Sequence, residues 1–334
     1  MAREKKISAI MVSQGKITEE VIAASDQLKF IAKHGSGVNN INLHAAEARG
    51  IPVFRAVGAN ARAVAEHAIT LMLALRKSLP HLDHATKVGR WLKGSFIGRD
   101  ILGTRLGLIG MGVIGHEAAA MARALGMHVT AFDPALRPED VAGDEIEPCS
   151  SVGALIANSD IISLHCPLVP STRHMVDAAF LSKMQSHAVL VNTARGGIID
   201  EVALEAALRQ REIAGAAVDS FEAEPPQSDH PLFSAPNLIV TPHAASLDCC
   251  RYAAKAIELV QFAACKGKYF WNRVPATDVI CMRSFGEIPA AFFLARFRLR
   301  LPVISLSIVE EQVTSLYPMK RSAISGIPSQ TASF

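Results

Sequence analysis

Three glycines of the chain are spaced as in loops that hold phosphate groups. Gly110, Gly112 and Gly115 form GxGxxG directly after an apolar run and directly before an apolar helical pattern. In that setting the first glycine permits a tight turn, the second lets the backbone approach a pyrophosphate, and the third allows close packing of helix on strand. The helix N-terminus adds free N–H groups and a positive dipole. The pattern predicts a dinucleotide site; the alternative is a structural turn without a ligand.

Asp133 ends the next apolar run and completes the dinucleotide fingerprint. Its carboxylate is expected to accept hydrogen bonds from the adenosine ribose hydroxyls. A 2′-phosphate in that place would be repelled by the like charge, so the sequence favours NAD over NADP. Arg137 lies near enough along the chain to soften this preference.

Polar side chains also end three later apolar runs. Arg195 follows the first of these runs, and His243 follows the last. Asp219, Glu222 and Glu224 end the run between them, where Glu222 is expected to be only a solvated neighbour. Because the carboxyl ends of parallel strands meet at one edge of a sheet, these side chains should converge on one crevice. A guanidinium binds carboxylates through its planar fork, and an imidazole can donate or accept a proton near neutral pH.

Short apolar runs alternate with helical patterns between about residues 104 and 243, and most runs are continuous rather than alternating in polarity. Continuous runs are typical of strands covered on both faces. The predicted strands are 106–110, 128–132, 161–165, 188–192, 216–219 and 238–241. The predicted helices are 113–125, 150–157, 177–184 and 200–212, the last with Asp200 as its N-cap. This order predicts an α/β fold with a doubly wound parallel sheet of Rossmann type.

A smaller β/α region precedes this block, with strands predicted within 7–12, 28–38 and 51–54. A helix predicted over 60–78, with Asn60 as N-cap, and a second over 249–266 suit connections between two domains. The expected organisation is a smaller α/β domain at 1–77 and a dinucleotide-binding domain at 78–267. Residues 268–334 form an atypical segment, for which a return to the substrate domain is one option.

The composition narrows the class of protein. Half of the 334 residues are apolar and 19% are charged, which is ordinary for a soluble globular protein. The net charge of +3 predicts no nucleic-acid partner and no anionic membrane surface. No signal sequence and no apolar segment of roughly twenty residues is visible, so no membrane span is expected. The six cysteines lack paired metal spacing, which predicts no metal and reduced thiols in a cytoplasmic protein.

The sequence resembles the NAD-dependent D-isomer-specific 2-hydroxyacid dehydrogenases, a family that includes phosphoglycerate dehydrogenase and hydroxypyruvate or glyoxylate reductases. The matching segments follow the family order over roughly residues 7–267. They are KHGSGVNNINLHAA (33–46), GANARAVAEHAITLMLAL (58–75), GLIGMGVIG (107–115), AFDP (131–134), HCPLVPSTRHM (165–175), VNTARGGIIDEVAL (191–204), VDSFEAEPP (218–226) and TPHAAS (241–246). The resemblance implies NAD as cofactor, a second, smaller flavodoxin-like α/β substrate domain, and a homodimer formed through about residues 80–103.

Three residues match the catalytic positions of that family. Arg195 would hold the substrate carboxylate and carbonyl oxygen. His243 would be the general acid–base that donates a proton to the carbonyl oxygen as hydride reaches the carbon. Glu224 would hydrogen-bond the imidazole, fix the ring and favour its protonated form. The alternatives are a surface ion pair for Arg195, a structural role for His243 and an exposed loop position for Glu224.

The resemblance also implies contacts to cofactor and substrate. Asp219 matches the residue beside the nicotinamide carboxamide, with capping as its alternative role. Val113 and Ile114 match positions whose backbone N–H groups face the pyrophosphate. The full cofactor set is Gly110, Gly112, Val113, Ile114, Gly115, Asp133, Cys166, Pro167, Thr193, Ala194, Asp219, His243 and Ser246. The substrate set is Arg195 with Ser36, Gly37 and Val38, whose loop would cap the substrate carboxylate. His34, His44 and His67 are predicted to be structural or exposed.

Two regions depart from the family pattern. Compared with the family, the substrate domain at 1–77 is expected to be truncated, without its first β–α unit before the run 7–12, and the stretch after about residue 268 matches no return segment of the family. We therefore expect NAD binding to survive these changes better than catalysis does. Lys33 is the only cation near Ser36 that a phosphorylated substrate could use.

The resulting functional prediction is an NAD(H)-dependent oxidoreductase. It would interconvert a small 2-keto acid and its D-2-hydroxy acid, of the phosphoglycerate, hydroxypyruvate or glyoxylate class. The alternative is a non-catalytic NAD(H)-binding or corepressor-like protein on the same scaffold. Formate or phosphite oxidation is a third option, but formate enzymes that resemble this sequence use glutamine where Glu224 stands.

Overall fold

The first part of the chain forms a small parallel sheet. The computed structural model describes residues 7–12, 15–33, 37–55 and 57–246, together with the backbone of 279–282. The elements of this part are β1 (Ala9–Val12), α1 (Glu19–Ala23), β2 (Phe30–Lys33), α2 (Leu43–Ala48) and β3 (Val53–Arg55). Both β1 and β3 pair with β2 in parallel. Isoleucines from the strands, helices and loops share one core, which includes Ile10, Ile22, Ile31, Ile41 and Ile51.

Two helices lead from the small sheet to a larger one. They are α3 (Ala61–Arg76) and α4 (Leu79–Lys87). The helix predicted over 60–78 is confirmed as α3, whereas α4 was not predicted. The apolar side of α3, with Ala68 and Met72, belongs to the core beneath the larger sheet. Asn60 holds the N-cap position, but its side chain makes no capping bond and its Oδ1 is buried without a partner among the described residues.

The second sheet has seven parallel strands interleaved with helices. In chain order the elements are β4 (Arg105–Ile109), α5 (Val113–Ala124), β5 (His128–Phe132), β6 (Ile146–Pro148), α6 (Val152–Ala157), β7 (Ile161–Leu164), α7 (Ala178–Leu181), β8 (Val189–Asn192), α8 (Glu201–Gln210), β9 (Gly215–Val218) and β10 (Leu238–Val240). The predicted doubly wound parallel sheet is therefore confirmed.

The sequence patterns found six of these seven strands and missed β6. This strand is short and lies at the edge of the sheet, and its residues Glu147 and Pro148 are exposed, so it offers no apolar run. The start of α8 is as predicted. The Asp200 carboxylate accepts hydrogen bonds from the N–H groups of Val202 and Ala203, at 3.0 and 3.1 Å, because the first turn of a helix leaves such donors without partners.

The order of the strands decides where a ligand can lie. It runs β10, β9, β8, β7, β4, β5, β6 across the sheet. The chain moves outward from β4 to β6 and then crosses to the other side of β4 with β7. Such a reversal opens a crevice beyond the carboxyl ends of the two strands beside it. The carboxyl ends of β8, β9 and β10 follow along the same edge, and these ends precede the predicted site residues.

The chain later returns to the small sheet. Strand β11 (Val279–Met282) pairs in parallel with β1, which gives the order β11, β1, β2, β3. Sequence patterns missed this strand because the stretch after about residue 268 matched no family segment. The predicted helix 249–266 lies outside the described residues, and the domain boundaries at 77 and 267 remain predictions. Within the described residues, no helix has the length and apolar character that a membrane crossing needs.

Candidate active site

The three glycines of the predicted dinucleotide loop have different surroundings. Gly110 has a φ of +102°, and a Cβ placed on it would lie 2.7 Å from the carbonyl carbon of His165 in the chain after β7. A Cβ on Gly115 would lie 2.3 Å from the carbonyl oxygen of Gly110, so α5 packs directly on the end of β4. A Cβ on Gly112 would meet nothing within 4 Å. Two glycines therefore allow tight packing, and the third leaves open space at the start of α5.

The start of α5 presents its backbone donors to that open space. Gly112 is the N-cap, and Val113 and Ile114 form the first turn, whose N–H groups cannot bond within the helix. The helix dipole places partial positive charge at the same point. The Val113 side chain is exposed on one side and lies beside Gly58, where an added Cβ would be 3.5 Å from its Cγ1. The arrangement suits an anionic group.

Asp133 lies beside the glycine loop. Its Oδ2 accepts a hydrogen bond from the N–H of Met111 at 2.9 Å, and its Oδ1 accepts one from Ala135 at 2.9 Å. The carboxylate is therefore fixed at the end of β5, half-buried and next to the predicted phosphate site. Arg137 is exposed and pairs with Asp140 at 2.8 Å, so its guanidinium is already engaged with a neighbouring carboxylate.

The chain segments after β7 and β8 face the same crevice. Cys166 is buried, and burial, together with the negative charge of Asp133, raises the pKa of its thiol to about 11, which keeps the sulfur protonated and unreactive. Pro167 beside it is exposed. Thr193 is buried, and its Oγ1 has no hydrogen-bond partner among the described residues. A buried hydroxyl without a partner is costly, and it suits a site that a polar ligand completes.

A side-chain bracket shapes the turn that carries Arg195. Asn192 accepts a hydrogen bond from the N–H of Ala194 at 3.0 Å, and its amide donates to the carbonyl oxygen of Arg195 at 2.9 Å. A Cβ on Gly196 would lie 1.9 Å from the carbonyl carbon of Phe221. Only glycine fits there, because the turn after β8 rests directly on the backbone of the loop after β9.

The Arg195 guanidinium reaches the small sheet. A Cβ on Gly37, in the loop after β2, would lie 2.2 Å from Nη2 of Arg195. The structure thus brings together Gly37 and Arg195, two members of the predicted substrate set that come from different sheets. Val38 packs partly against the core of the small sheet. Ser36 lies outside the described residues.

A second cation lies near Arg195. Lys33 ends β2 and is buried, and burial together with the positive charge of Arg195 lowers its pKa to about 8. Two cationic groups in one partly buried region favour an anionic ligand. Lys33 was the one cation that the sequence offered for this purpose.

His243 and Glu224 form the predicted acid–base pair. Nδ1 of His243 lies 3.0 and 2.9 Å from the two carboxylate oxygens of Glu224. Burial raises the pKa of Glu224, but the hydrogen bond and charge of His243, the N–H of Phe221 and the charge of Arg195 outweigh it and lower the pKa overall. Glu224 therefore stays ionised beside the ring. The Nδ1 contact leaves Nε2 of His243 as the nitrogen that can meet a substrate.

Asp219 holds the loop that carries His243. Its carboxylate is fully buried and accepts hydrogen bonds from the Thr241 hydroxyl at 2.5 Å, from Ala244 N at 2.7 Å and from Ala245 N at 3.0 Å. The placement of Asp219 beside a nicotinamide carboxamide stays a prediction, and these bonds show that its carboxylate also makes a capping contact to the loop after β10. Ser246 follows this loop directly and is half-buried.

Two features of the site were missed from the sequence. Glu222 is exposed, as expected of a solvated neighbour, but it also pairs with Arg173 and lies 3.1 Å from Nε2 of His174, and these contacts were not predicted. His67 on α3 lies 3.2 Å from the Thr241 hydroxyl. The partners of Glu222 lie in the run TRHM (172–175), which carries the cation Arg173 and the histidine His174. Nothing in the pattern of α3 distinguishes His67 from a structural histidine.

Comparison with known proteins identifies the family of the chain. Residues 69–245 match the family model described as D-isomer specific 2-hydroxyacid dehydrogenase, NAD binding domain. D-3-phosphoglycerate dehydrogenase of Archaeoglobus fulgidus is 40% identical over 242 residues, which cover 72% of this chain and 46% of that protein. Hydroxypyruvate reductase of Thermotoga maritima is 39% identical over 254 residues, which cover 75% of this chain and 82% of that protein. The crystal structure of D-lactate dehydrogenase from Aquifex aeolicus, complexed with NAD and lactic acid, has a TM-score of 0.71 and 28% identity, and covers 82% of this chain and 87% of that chain.

The sheet order, the glycine loop and the family match define a dinucleotide-binding α/β protein whose residues 69–245 match an NAD-binding domain. The chain belongs to the D-isomer specific 2-hydroxyacid dehydrogenases. It spans about half the length of the phosphoglycerate dehydrogenase relative that it matches. The residues present fit NAD, because the open face of Gly112 leaves room and the Thr193 hydroxyl, which has no partner in the described part of the chain, offers a polar group for it.

Proposed function

We propose that this protein is an NAD(H)-dependent oxidoreductase that interconverts a small 2-keto acid and its D-2-hydroxy acid. The observation that carries the proposal is the contact between His243 and Glu224 on adjoining strand ends, within the electrostatic reach of Arg195. An acid–base imidazole, its carboxylate partner and a carboxylate-binding guanidinium are the groups that this reaction needs from the protein.

Each of the three residues has a role that follows from its contacts. Arg195 holds the substrate carboxylate and carbonyl oxygen, because its turn is fixed by Asn192 and its guanidinium faces Gly37. Glu224 holds the ring of His243 through Nδ1, so Nε2 is directed away from the carboxylate. Nε2 donates a proton to the carbonyl oxygen during reduction and takes it back during oxidation. NADH, when bound, supplies the hydride.

NAD would be held by residues along the crevice edge of the large sheet. The backbone at Val113 and Ile114 would bind the pyrophosphate, and Asp133 would bind the adenosine ribose. The negative charge of Asp133 favours NAD over NADP, and Arg137 does little to offset it because Asp140 already pairs with it. The remaining proposed contacts are Gly110, Gly112, Gly115, Cys166, Pro167, Thr193, Ala194, Asp219, His243 and Ser246.

The proposed substrate is a small anion of the phosphoglycerate, hydroxypyruvate or glyoxylate class. Arg195 and the loop of Ser36, Gly37 and Val38 would bind its carboxylate. The cation Lys33 near Arg195 adds positive charge where a second anionic group of the substrate would lie. The names of the relatives, which include phosphoglycerate dehydrogenase and hydroxypyruvate reductase, support this range of substrates.

The test is oxidation of NADH by the purified protein with glyoxylate, hydroxypyruvate, 3-phosphohydroxypyruvate and pyruvate, followed by absorbance. We expect turnover with at least one of these acids, and a D-configured product on chiral analysis for each acid other than glyoxylate, whose product glycolate has no stereocentre. NADPH in place of NADH should give a lower kcat/KM. Tight NADH binding with no turnover on the whole panel would instead favour a non-catalytic NAD(H)-binding protein.

We also propose that the protein is a cytoplasmic homodimer. The segment after α3 exposes several large apolar side chains, and such a patch is typical of an interface. Trp91, Ile97 and Leu102 are 77%, 93% and 80% exposed. Light scattering should give twice the monomer mass, and Trp91→Arg should shift the protein to monomer. The free thiols of Cys149 and Cys166 support the cytoplasmic location, which cell fractionation tests.

A further inference from the structure

The backbone of His243 is held in an unusual conformation. Its φ is +54°, in the left-handed region that few residues other than glycine adopt. Such a conformation persists only where the surroundings determine it. The position of the imidazole therefore depends on the contacts of the loop that carries it, which runs from Thr241 to Ala245.

The Asp219 carboxylate holds this loop on both sides of His243. It binds the Thr241 hydroxyl before the histidine and the N–H groups of Ala244 and Ala245 after it, at 2.5, 2.7 and 3.0 Å. Asp219 is itself fully buried at the end of β9. A buried carboxylate is costly unless it is hydrogen-bonded, and here these bonds come from the loop itself.

His67 on α3 reaches the same cluster from the side. Its Nε2 lies 3.2 Å from the Thr241 hydroxyl oxygen and 3.6 Å from Oδ1 of Asp219, and its side chain is 19% exposed. The hydroxyl hydrogen of Thr241 is already used in the 2.5 Å bond to Asp219. The hydroxyl oxygen can then only accept, so the Nε2 of His67 must carry a hydrogen and donate it.

We propose that His67 is a positioning residue for the acid–base His243 and acts through Thr241 and Asp219. Its Nε2–H orients the threonine hydroxyl, and that hydroxyl helps to set the carboxylate that fixes the left-handed backbone of His243. His67 does not touch the substrate or the reacting atoms. The proposal deepens the proposed function and depends on it for its effect on turnover.

The experiment compares variants of the full-length protein that remove or keep the Nε2 donor. His67→Leu removes it, whereas His67→Gln places an amide N–H near the same point. Thr241→Val removes the hydroxyl at similar volume, and Thr241→Ser keeps it. His128→Leu is the matched control, since His128 is exposed at the amino end of β5.

We expect His67→Leu and Thr241→Val each to lower kcat about tenfold or more, with the Kd for NADH changed by less than about twofold. His67→Gln and Thr241→Ser should recover most of that loss, and His128→Leu should match the native protein. The proposal is overturned if kcat is unchanged in both His67→Leu and Thr241→Val. It is also overturned if His67→Gln is as impaired as His67→Leu, because the donor would then be irrelevant.

A measurement without turnover separates this proposal from the proposed function. Histidine-selective ¹⁵N NMR of the native protein should show a hydrogen on Nε2 of His67, and the ring signals of His243 should shift in Thr241→Val. The protein could turn over no keto acid and still show the hydrogen on Nε2 of His67 and the shift of the His243 signals in Thr241→Val. This result would refute the proposed function but support the hydrogen-bond chain. A His67 ring with hydrogen only on Nδ1 refutes the chain itself.

Discussion

The glycine loop after β4 and the loop after β10 lie at the same edge of one sheet but differ in hydrogen bonding. Around the Gly112 position an added Cβ meets nothing within 4 Å, and the first turn of α5 has backbone donors with no helical partner. In the second loop, the N–H groups of Ala244 and Ala245 and the hydroxyl of Thr241 are all bound by Asp219.

This difference follows from what each loop is proposed to hold. A loop that binds a ligand through its main chain must leave N–H groups and space available to that ligand. A loop that presents one side chain for proton transfer must instead fix its own backbone, because a small displacement of the imidazole costs much of the rate. The comparison predicts that substitutions in the two loops affect different quantities.

The largest effect should come from His243→Ala. Removing the general acid–base is expected to lower kcat by about 10²- to 10⁴-fold, while the Kd for NADH changes little because the phosphate site is elsewhere on the sheet edge. Steady-state kinetics and fluorescence titration with NADH measure the two quantities, with His128→Ala as control. An equal loss of turnover and of NADH affinity would contradict the separation of the two loops.

The next effect distinguishes two glycines of one loop. Gly112→Ala should weaken NADH binding by about tenfold or more, because its Cβ enters the open space, yet change the free energy of unfolding by less than about 1 kcal/mol. Gly115→Ala should lower the free energy of unfolding by about 1–3 kcal/mol, since its Cβ would lie 2.3 Å from the Gly110 carbonyl oxygen. Urea unfolding without NADH and titration with NADH test the pair. Native-like NADH affinity in Gly112→Ala would show that the space is not the phosphate site.

A smaller effect concerns the charge at the substrate end. The pKa of Lys33 is about 8, so its ammonium is lost as the pH rises from about 7 to 9. The KM for the keto acid should then rise severalfold over that range, because an anionic substrate loses a nearby cation. In Lys33→Met the KM for the keto acid should be high over the whole pH range, without a rise between about pH 7 and 9. Lys29→Met, at an exposed position, should behave as native. If the KM still rises with pH in Lys33→Met, a group other than Lys33 is responsible for the pH dependence.

The smallest effect should come from Glu222→Gln. Glu222 pairs with Arg173 and His174 at a half-exposed site, and such pairs contribute about 0.2–1 kcal/mol. Its backbone rests on Gly196 beside Arg195, so we expect a rise in the KM for the keto acid of no more than about fivefold. Glu145→Gln, which breaks the surface pair with Arg123, is the matched control. A change in NADH affinity without a change in the KM for the keto acid would show that Glu222 affects cofactor binding, like the glycine loop after β4, and would contradict this prediction.

Much of the fold could be predicted because local patterns carry it. Continuous apolar runs marked six strands of the large sheet, and Asp200 marked the start of α8. Strand β6 was missed because it is short, lies at an edge and contains exposed polar and proline residues. Strand β11 was missed because its pairing with β1 comes from a distant part of the chain, and a local pattern does not record such a partner.

Only part of the candidate site could be predicted, because local patterns do not record contacts between distant segments of the chain. The glycine spacing fixes the local turn, so the tight packing of Gly115 on the carbonyl group of Gly110 follows from the chain itself, whereas the packing of Gly110 on His165 does not. The contact of Glu224 with His243 was expected only through resemblance to the family. The ion pairs of Glu222 were not predicted, because a carboxylate in a polar run gives no sign of a cation that a different loop supplies.

The sequence alone determined most of the strands, the nucleotide loop and the identity of the groups that can carry charge and protons, because these depend on residue type and on neighbours within a few positions. Only the tertiary structure decided which of those groups meet. It placed His67 behind Thr241, Asp219 under the backbone of His243, and Gly37 against Arg195. These contacts join segments that are distant along the chain, and only the parallel ordering of strands and the packing of α3 bring them within hydrogen-bonding distance.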